Sequence, residues 1–315
     1  MSRLRCPPLS TGLAALCLGL AGVALAPGCK APPAANPEFD DAAQYLLRIF
    51  HSGSDAERAY GVRALEEQCY LNMDLEANDA NKRVVSPAPI DEDDIADLEH
   101  PDQDPADNLT IALGFLSDFQ VRDHADVFFL QDMRPVEPSS PDIYQRTILE
   151  GEDCFLSHDC DVLRTLNDIE RKNILYQVRY DLYKDYRWID LNLPDPALVP
   201  EGEEAVNEGE PRWAIQQRSW MKESAFGDGA TIWQSYAIEV WVPRDCEGYI
   251  RAAGDENRDG GNWETDSCGG GSMRMQAMWS ETELGTEVGD DVMLAATRGG
   301  IDDIFEATED WLAEH

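Results

Sequence analysis

Hydrophobic positions along the chain change their spacing from one stretch to the next, and the changes mark the elements. Leu13 to Leu25 is an uncharged apolar run preceded by Arg3 and Arg5. It is shorter than the ~20 residues a bilayer requires, so residues 1–28 read as a targeting segment. Further on, Ala42, Ala43, Leu46, Leu47 and Phe50 recur at helical spacing. Ser54 and Glu57 then form a capping box for a second helix, with Ala59, Val62, Leu65 and Cys69 on one face. The spacing predicts a helical hairpin over residues 39–73. Residues 74–108 turn polar, and the nine acids between Asp91 and Asp107 predict a mobile, solvated loop.

From Leu109 the pattern becomes strand-like. Short apolar runs at Val127–Leu130 and Ile143–Phe155 suggest strands, and Cys160–Lys172 reads equally as strand or helix. Ile174, Tyr176, Val178, Tyr180 and Leu182 alternate with polar residues, the signature of a half-buried strand, and Lys184-Asp185 suggests a turn after it. Trp213–Met221, then Ile232, Tyr236, Ile238, Val240 and Val242, then Met273, Met275, Ala277 and Trp279 predict three more. Trp233 and Trp241 fall on the opposite parity, a position to be covered by a helix. The last element is an amphipathic helix, roughly Asp290 to Leu312, with Leu294, Ile301, Ile304, Phe305, Trp311 and Leu312 on one face. Gly299-Gly300 inside it suggests a kink or a close backbone approach.

Helices, a run of antiparallel strands and a long C-terminal helix make an α+β fold, with residues 109–315 as the sheet domain. The layout loosely resembles the helix-grip (START-like) architecture, in which a curved sheet wraps a C-terminal helix over an apolar cavity. A closed lipocalin-like barrel is the alternative.

The N-terminus offers two processing sites. Ala24-Leu25-Ala26 suits ordinary signal cleavage, but Pro27 follows it and is a poor neighbour for a scissile bond. Leu25-Ala26-Pro27-Gly28-Cys29 resembles the lipobox of bacterial lipoproteins, with Pro27 and an early Leu as departures. That resemblance implies export, acylation of Cys29 and attachment to a membrane. Lys30, rather than Asp, then implies the outer membrane. Residues 29–38 would be a Pro- and Ala-rich tether.

Composition narrows the function. The formal charge is −37, with 62 acids against 25 basic residues, which argues against a nucleic-acid partner. In an oxidising compartment, proximity along the chain pairs Cys154 with Cys160 and Cys246 with Cys268, leaving Cys69 over. The five histidines form no zinc motif, and there is no nucleophile elbow, Walker loop or dinucleotide fingerprint. Tryptophans at 213, 220, 233, 241, 263 and 279 fill a sheet core or, on the sharper reading, line a pocket.

The most specific motif is Asp255-Glu256-Asn257-Arg258-Asp259-Gly260. It resembles the opening of an EF-hand-type calcium loop, in which alternate oxygens converge on one ion. Asp255, Asn257 and Asp259 would ligate Ca²⁺, with the carbonyl of Gly261 and Asp266 completing the set. Asp stands where the family prefers Glu and strands flank the loop, so the implied binding is weak, ~10⁻⁴ to 10⁻³ M. A polar hairpin loop is the plainer reading. Together these features suggest a lipid-anchored, non-catalytic envelope protein that binds a small apolar ligand or an envelope protein. An envelope hydrolase with a site assembled across the sheet and a purely structural surface lipoprotein are the rivals.

Overall fold

The computed structural model describes residues 39–72, 83–85, 87–172, 176–200, 202–207, 209–244, 270–285 and 289–315. It is a mixed α+β structure, built on an antiparallel open sheet with a long C-terminal helix. No helix among the described residues is long and apolar enough to cross a membrane.

Two helices come first, α1 (Phe39–Ile49) and α2 (Asp55–Asn72). The Ser54–Glu57 capping box is formed: the Ser54 N–H donates to Glu57 Oε2 at 2.8 Å and the Glu57 N–H to Ser54 Oγ at 3.3 Å. Gly61 allows the two helices to meet, since a Cβ there would lie 2.7 Å from Leu46 Cδ2. The buried Arg58 donates to the carbonyls of Phe50 and Gly53, occupying acceptors that the end of α1 leaves open.

The strands are β1 (Arg83–Val85), β2 (Leu109–Ser117), β3 (Tyr144–Glu150), β4 (Leu163–Lys172), β5 (Gln177–Asp190), β6 (Trp213–Trp220), β7 (Ala225–Phe226), β8 (Ala230–Pro243) and β9 (Ser272–Leu284). They are ordered β1-β2-β9-β8-β6-β5-β4-β3, with β7 beside β8. The path is open at β1 and β3. The closed-barrel alternative therefore fails: β2 and β3 do not pair, and the chain between them forms α3 (Val121–Val127) and a segment that packs on α4 (Asp290–Glu314).

Both faces of the sheet are covered. On one, Met273, Met275, Ala277 and Trp279 of β9 and Tyr236, Ile238, Val240 and Val242 of β8 pack against Ala43, Leu46, Leu47 and Phe50 of α1 and Val62 and Leu65 of α2. Each fully buried Leu or Phe here contributes roughly 1.5–3 kcal/mol. On the other, Trp241 and Ile215 pack under Val121, Ala125 and Phe128, while Ile111 and Leu113 receive Ile301 and Phe305 of α4.

Several local expectations change. The 127–130 run is not a strand, because Val121, His124 and Ala125 bury one helical face and a reciprocal Gln120–Asp123 cap starts α3 ahead of it. Lys184-Asp185 is not a turn: β5 runs on to Asp190, and the two side chains go to opposite faces of the sheet. The acidic stretch is stitched to the core by Ile90 and Ile95, both essentially buried, by Arg48–Asp94 at 3.0 Å and by Arg218–Asp97 at 2.9 Å. Gly299 and Gly300 sit inside an unbroken helix, and a Cβ at either would meet nothing within 4 Å, so no close approach requires them.

Candidate functional site

Polar side chains cross the α4-side face of the sheet as a band. Neighbouring strands contribute Gln276 beside Glu239, Glu239 beside Gln217, Lys184 beside Thr165, and Asn167 beside Arg146. Arg274 joins the band at β9. Of these, Arg146, Thr165, Asn167, Gln217, Glu239 and Arg274 are all buried. The apolar cluster around Tyr144, Ile169 and Leu182 lies to one side and the cluster around Phe128, Tyr186 and Trp241 to the other.

The band borders a small, partly open cavity edged by Ile304 and Thr308 of α4. Its volume is about 30 Å³, room for about two water molecules. Arg274 ties its roof to the sheet, paired with Glu239, donating to Thr308 Oγ1 at 3.4 Å and standing over the Phe305 ring at 4.2 Å. Arg146 donates to Asn167 Oδ1 at 2.8 Å and to the Phe128 carbonyl at 2.7 Å. Lys184 stands 5.9 Å from the centre of the Tyr144 ring and has no carboxylate partner among the described residues. Gln217 reaches the cavity wall with its amide free of hydrogen bonds to the described residues.

His124 is the most deeply placed titratable group there. Its Nε2 lies 2.9 Å from Ser117 Oγ, while its buried Nδ1 has no partner among the described residues. Burial, helped by Arg274, lowers its pKa from 6.5 to about 3, so the ring is neutral near pH 7. Glu309 lies 3.9 Å from the same Nε2, its carboxyl held above the ordinary range by burial. Ser117, His124 and Glu309 thus have the composition of a hydrolytic triad. The arrangement does not suit that role, because the Ser117 hydroxyl is completely buried, already accepts the Phe119 N–H, and faces an imidazole too weakly basic to take its proton.

A second polar cluster lies on the hairpin face. His51 Nε2 donates to Asp185 Oδ2 at 2.7 Å, Arg187 donates to His51 Nδ1 at 3.1 Å, and Arg164 holds Asp185 through both oxygens. Burial alone would raise the Asp185 pKa, but the hydrogen bonds from His51 and Arg164 outweigh it and hold the carboxylate below its ordinary range. Both imidazole nitrogens are occupied, so this cluster pins α1 to β5 rather than offering a reactive group.

The site residues expected from sequence lie elsewhere. Cys29, the loop residues Asp255, Asn257, Asp259, Gly261 and Asp266, and Cys246 and Cys268 fall outside the described residues. Cys154 and Cys160 are half-buried and adjoin one another as free thiols. Backbone bonds from Cys154, Phe155 and Asp159 close that loop, and the Cys160 thiol donates to the Gly151 carbonyl at 3.8 Å. Burial and the adjoining Cys154 push its pKa up to about 12. Among the described residues no group of three His, Cys, Asp or Glu side chains is placed to hold a metal ion.

None of the band residues was singled out by motif. A signal did exist. β8 is apolar on both parities, with Tyr236, Ile238 and Val240 on one and Ala237 and Trp241 on the other, so both its faces must be covered and Glu239 must be buried.

No family model matches the sequence, and no curated protein matches it. Among solved structures, it is similar to a conserved protein from Geobacillus kaustophilus at 10% identity and a TM-score of 0.33, over 64% of this chain and 93% of that one. It is similar to the human StarD13 (DLC2) lipid transfer and protein localization domain at 10% identity and 0.31, over 64% and 76%. The third is Ara h 8.0201, at 11% identity and 0.29, over 66% and 99%. Likeness at this level carries no argument about function.

Proposed function

We propose that this protein is a non-catalytic binding protein that takes a small molecule between the sheet and α4. The carrying observation is the set of polar groups left over at one cavity: the buried His124 Nδ1 and Trp241 Nε1, which have no partner among the described residues, with the Gln217 amide and the half-buried Lys184 beside them. A buried polar group without a partner costs roughly 1–3 kcal/mol. Folding stability does not explain keeping several of them together, whereas a ligand that supplies the partners does. The polar band makes a purely apolar ligand a poor fit, so the molecule has a polar end and an apolar body.

The cavity is smaller than such a ligand, so α4 must yield on binding. On the sequence alone, the domain is carried on a lipid tether at Cys29, and the 255–266 loop binds Ca²⁺ weakly.

Native mass spectrometry of full-length protein recovered from its own cells tests the reading. Wild type should carry a small-molecule adduct, and Gln217→Leu should lack it while melting at the same temperature or slightly higher. No adduct, or one retained equally by Gln217→Leu, would refute binding at this cavity.

A further inference from the structure

Resting on the cavity reading just given, we infer that the ligand's polar end is a carboxylate, held by Arg146, Lys184 and His124. The charges around the cavity support this. Its lining contains three cations, Arg146, Lys184 and Arg274, and two carboxylates, Glu137 and Glu239. Both carboxylates are committed, Glu239 to Arg274 and Glu137 to Arg171 at 3.1 Å. The charges left over are therefore both positive.

Arg146 is the decisive group. It is only 3% exposed, yet its acceptors are all neutral: Asn167 Oδ1, the carbonyls of Val127 and Phe128, and the Tyr186 hydroxyl at 3.3 Å. Carbonyls at the end of α3 offset part of a guanidinium charge, but a buried charge without a counter-ion remains costly. Lys184, half-buried beside it in the lining, likewise has no carboxylate partner among the described residues. This occurs in a chain with a formal charge of −37, so a cation-rich cavity is not a by-product of composition. Against so negative a background an anion needs a local positive focus to bind at all.

Geometry and chemistry narrow the anion. A carboxylate fits two cations as a compact monoanion, and the partnerless Nδ1 of His124, in the tautomer that carries its proton there, would add a neutral donor. A dianionic phosphate would face Glu137 and Glu239 at short range. The remaining walls, Phe128, Met133, Val136, Trp241 and Ile304, suit a hydrocarbon body.

The probe is octanoate, with octan-1-ol as its uncharged match, titrated into full-length protein and followed by tryptophan fluorescence, since Trp241 forms part of the wall. Octanoate should bind at least tenfold more tightly than octan-1-ol. Lys184→Met should remove most of that preference, Lys184→Arg should keep it, and inorganic phosphate should not compete. Equal affinity for acid and alcohol in wild type would overturn the carboxylate while leaving the cavity reading intact. Competition by phosphate would overturn it in favour of a general anion site. If neither octanoate nor octan-1-ol binds at millimolar concentration, both readings fall.

Discussion

The two faces of the sheet are both roofed by helices, yet they are filled on different principles. The hairpin face is dry: β8 and β9 present Tyr236, Ile238, Val240, Val242, Met273, Met275 and Trp279 to a helix pair whose inward residues are almost entirely apolar. Polar groups occur there too and are tied to the helices, although Gln216 Oε1 and Arg218 Nε have no partner among the described residues. Gln216 donates to the Leu46 carbonyl at 3.0 Å, and Arg218 to the Leu47 carbonyl and to Asp97. The α4 face buries a comparable set of aromatic and aliphatic side chains but interrupts them with a polar band, and part of that band has no partner. One face holds the molecule together. The other carries its polar groups as a band beside one cavity.

Removing core volume from the dry face should give the largest effect. Trp279 is completely buried, and its indole N–H donates to the Ala88 carbonyl at 3.0 Å. Trp279→Ala should destabilise by about 3–5 kcal/mol in urea unfolding, by cavity creation and loss of that bond. A loss below about 1 kcal/mol would mean that the hairpin face is not the stabilising one, and the contrast between the faces would collapse.

Acid should act next, through the α4 face. His124 has a pKa of about 3 in the folded state against an ordinary 6.5. Between those values the unfolded chain binds the extra proton, so stability falls as pH drops from about 6.5, by up to about 1.4 kcal/mol per pH unit. His158, also lowered by burial, adds to the same window. Glu309, raised by burial, works in the opposite sense at its acid end. Asp185, whose carboxylate is held below the usual range, adds a loss only at still lower pH. His124→Gln should flatten the dependence of the urea midpoint on pH between 6.5 and 4.5. An unchanged slope would show that His124 is hydrated and that the band is open to solvent.

The smallest effect concerns the two roofs themselves. α1 buries nearly every side chain, whereas the first half of α4 is largely exposed around Gly299 and Gly300. Because a Cβ meets nothing at either position, Gly299→Ala and Gly300→Ala should each raise stability by about 0.5–1 kcal/mol through helix propensity alone. A loss in either variant, read from thermal melts, would point to a bend of α4 that the folded protein uses.

The chain's own pattern was informative wherever one periodicity faced one environment. Helical spacing at Ala42, Ala43, Leu46 and Phe50, the Ser54–Glu57 box, alternation through β8 and β9, and the stripe of α4 each follow from local geometry, so the α+β layout could be read directly. It was misleading where a polar residue was buried with partners from distant strands. Lys184-Asp185 looked like a turn because adjacent charges usually mark one. Asp185 is instead neutralised by His51, 134 positions away, and by Arg164, while Lys184 serves the opposite face. In the 91–107 stretch only Asp94 is buried among the acids, paired with Arg48, while the others keep exposed side chains.

What the sequence determined by itself was the set of elements, a strongly negative charge and the absence of familiar catalytic motifs. The tertiary structure alone decided which faces those elements share. Gln217, Glu239, Arg274, Lys184 and Arg146 come from five strands and His124 from a helix, and no spacing along the chain connects them. They meet because strand pairing sets a register across the sheet and α4 closes over it. A cavity and an uncompensated charge are properties of that assembly, since whether a polar atom has a partner depends on groups brought near by folding.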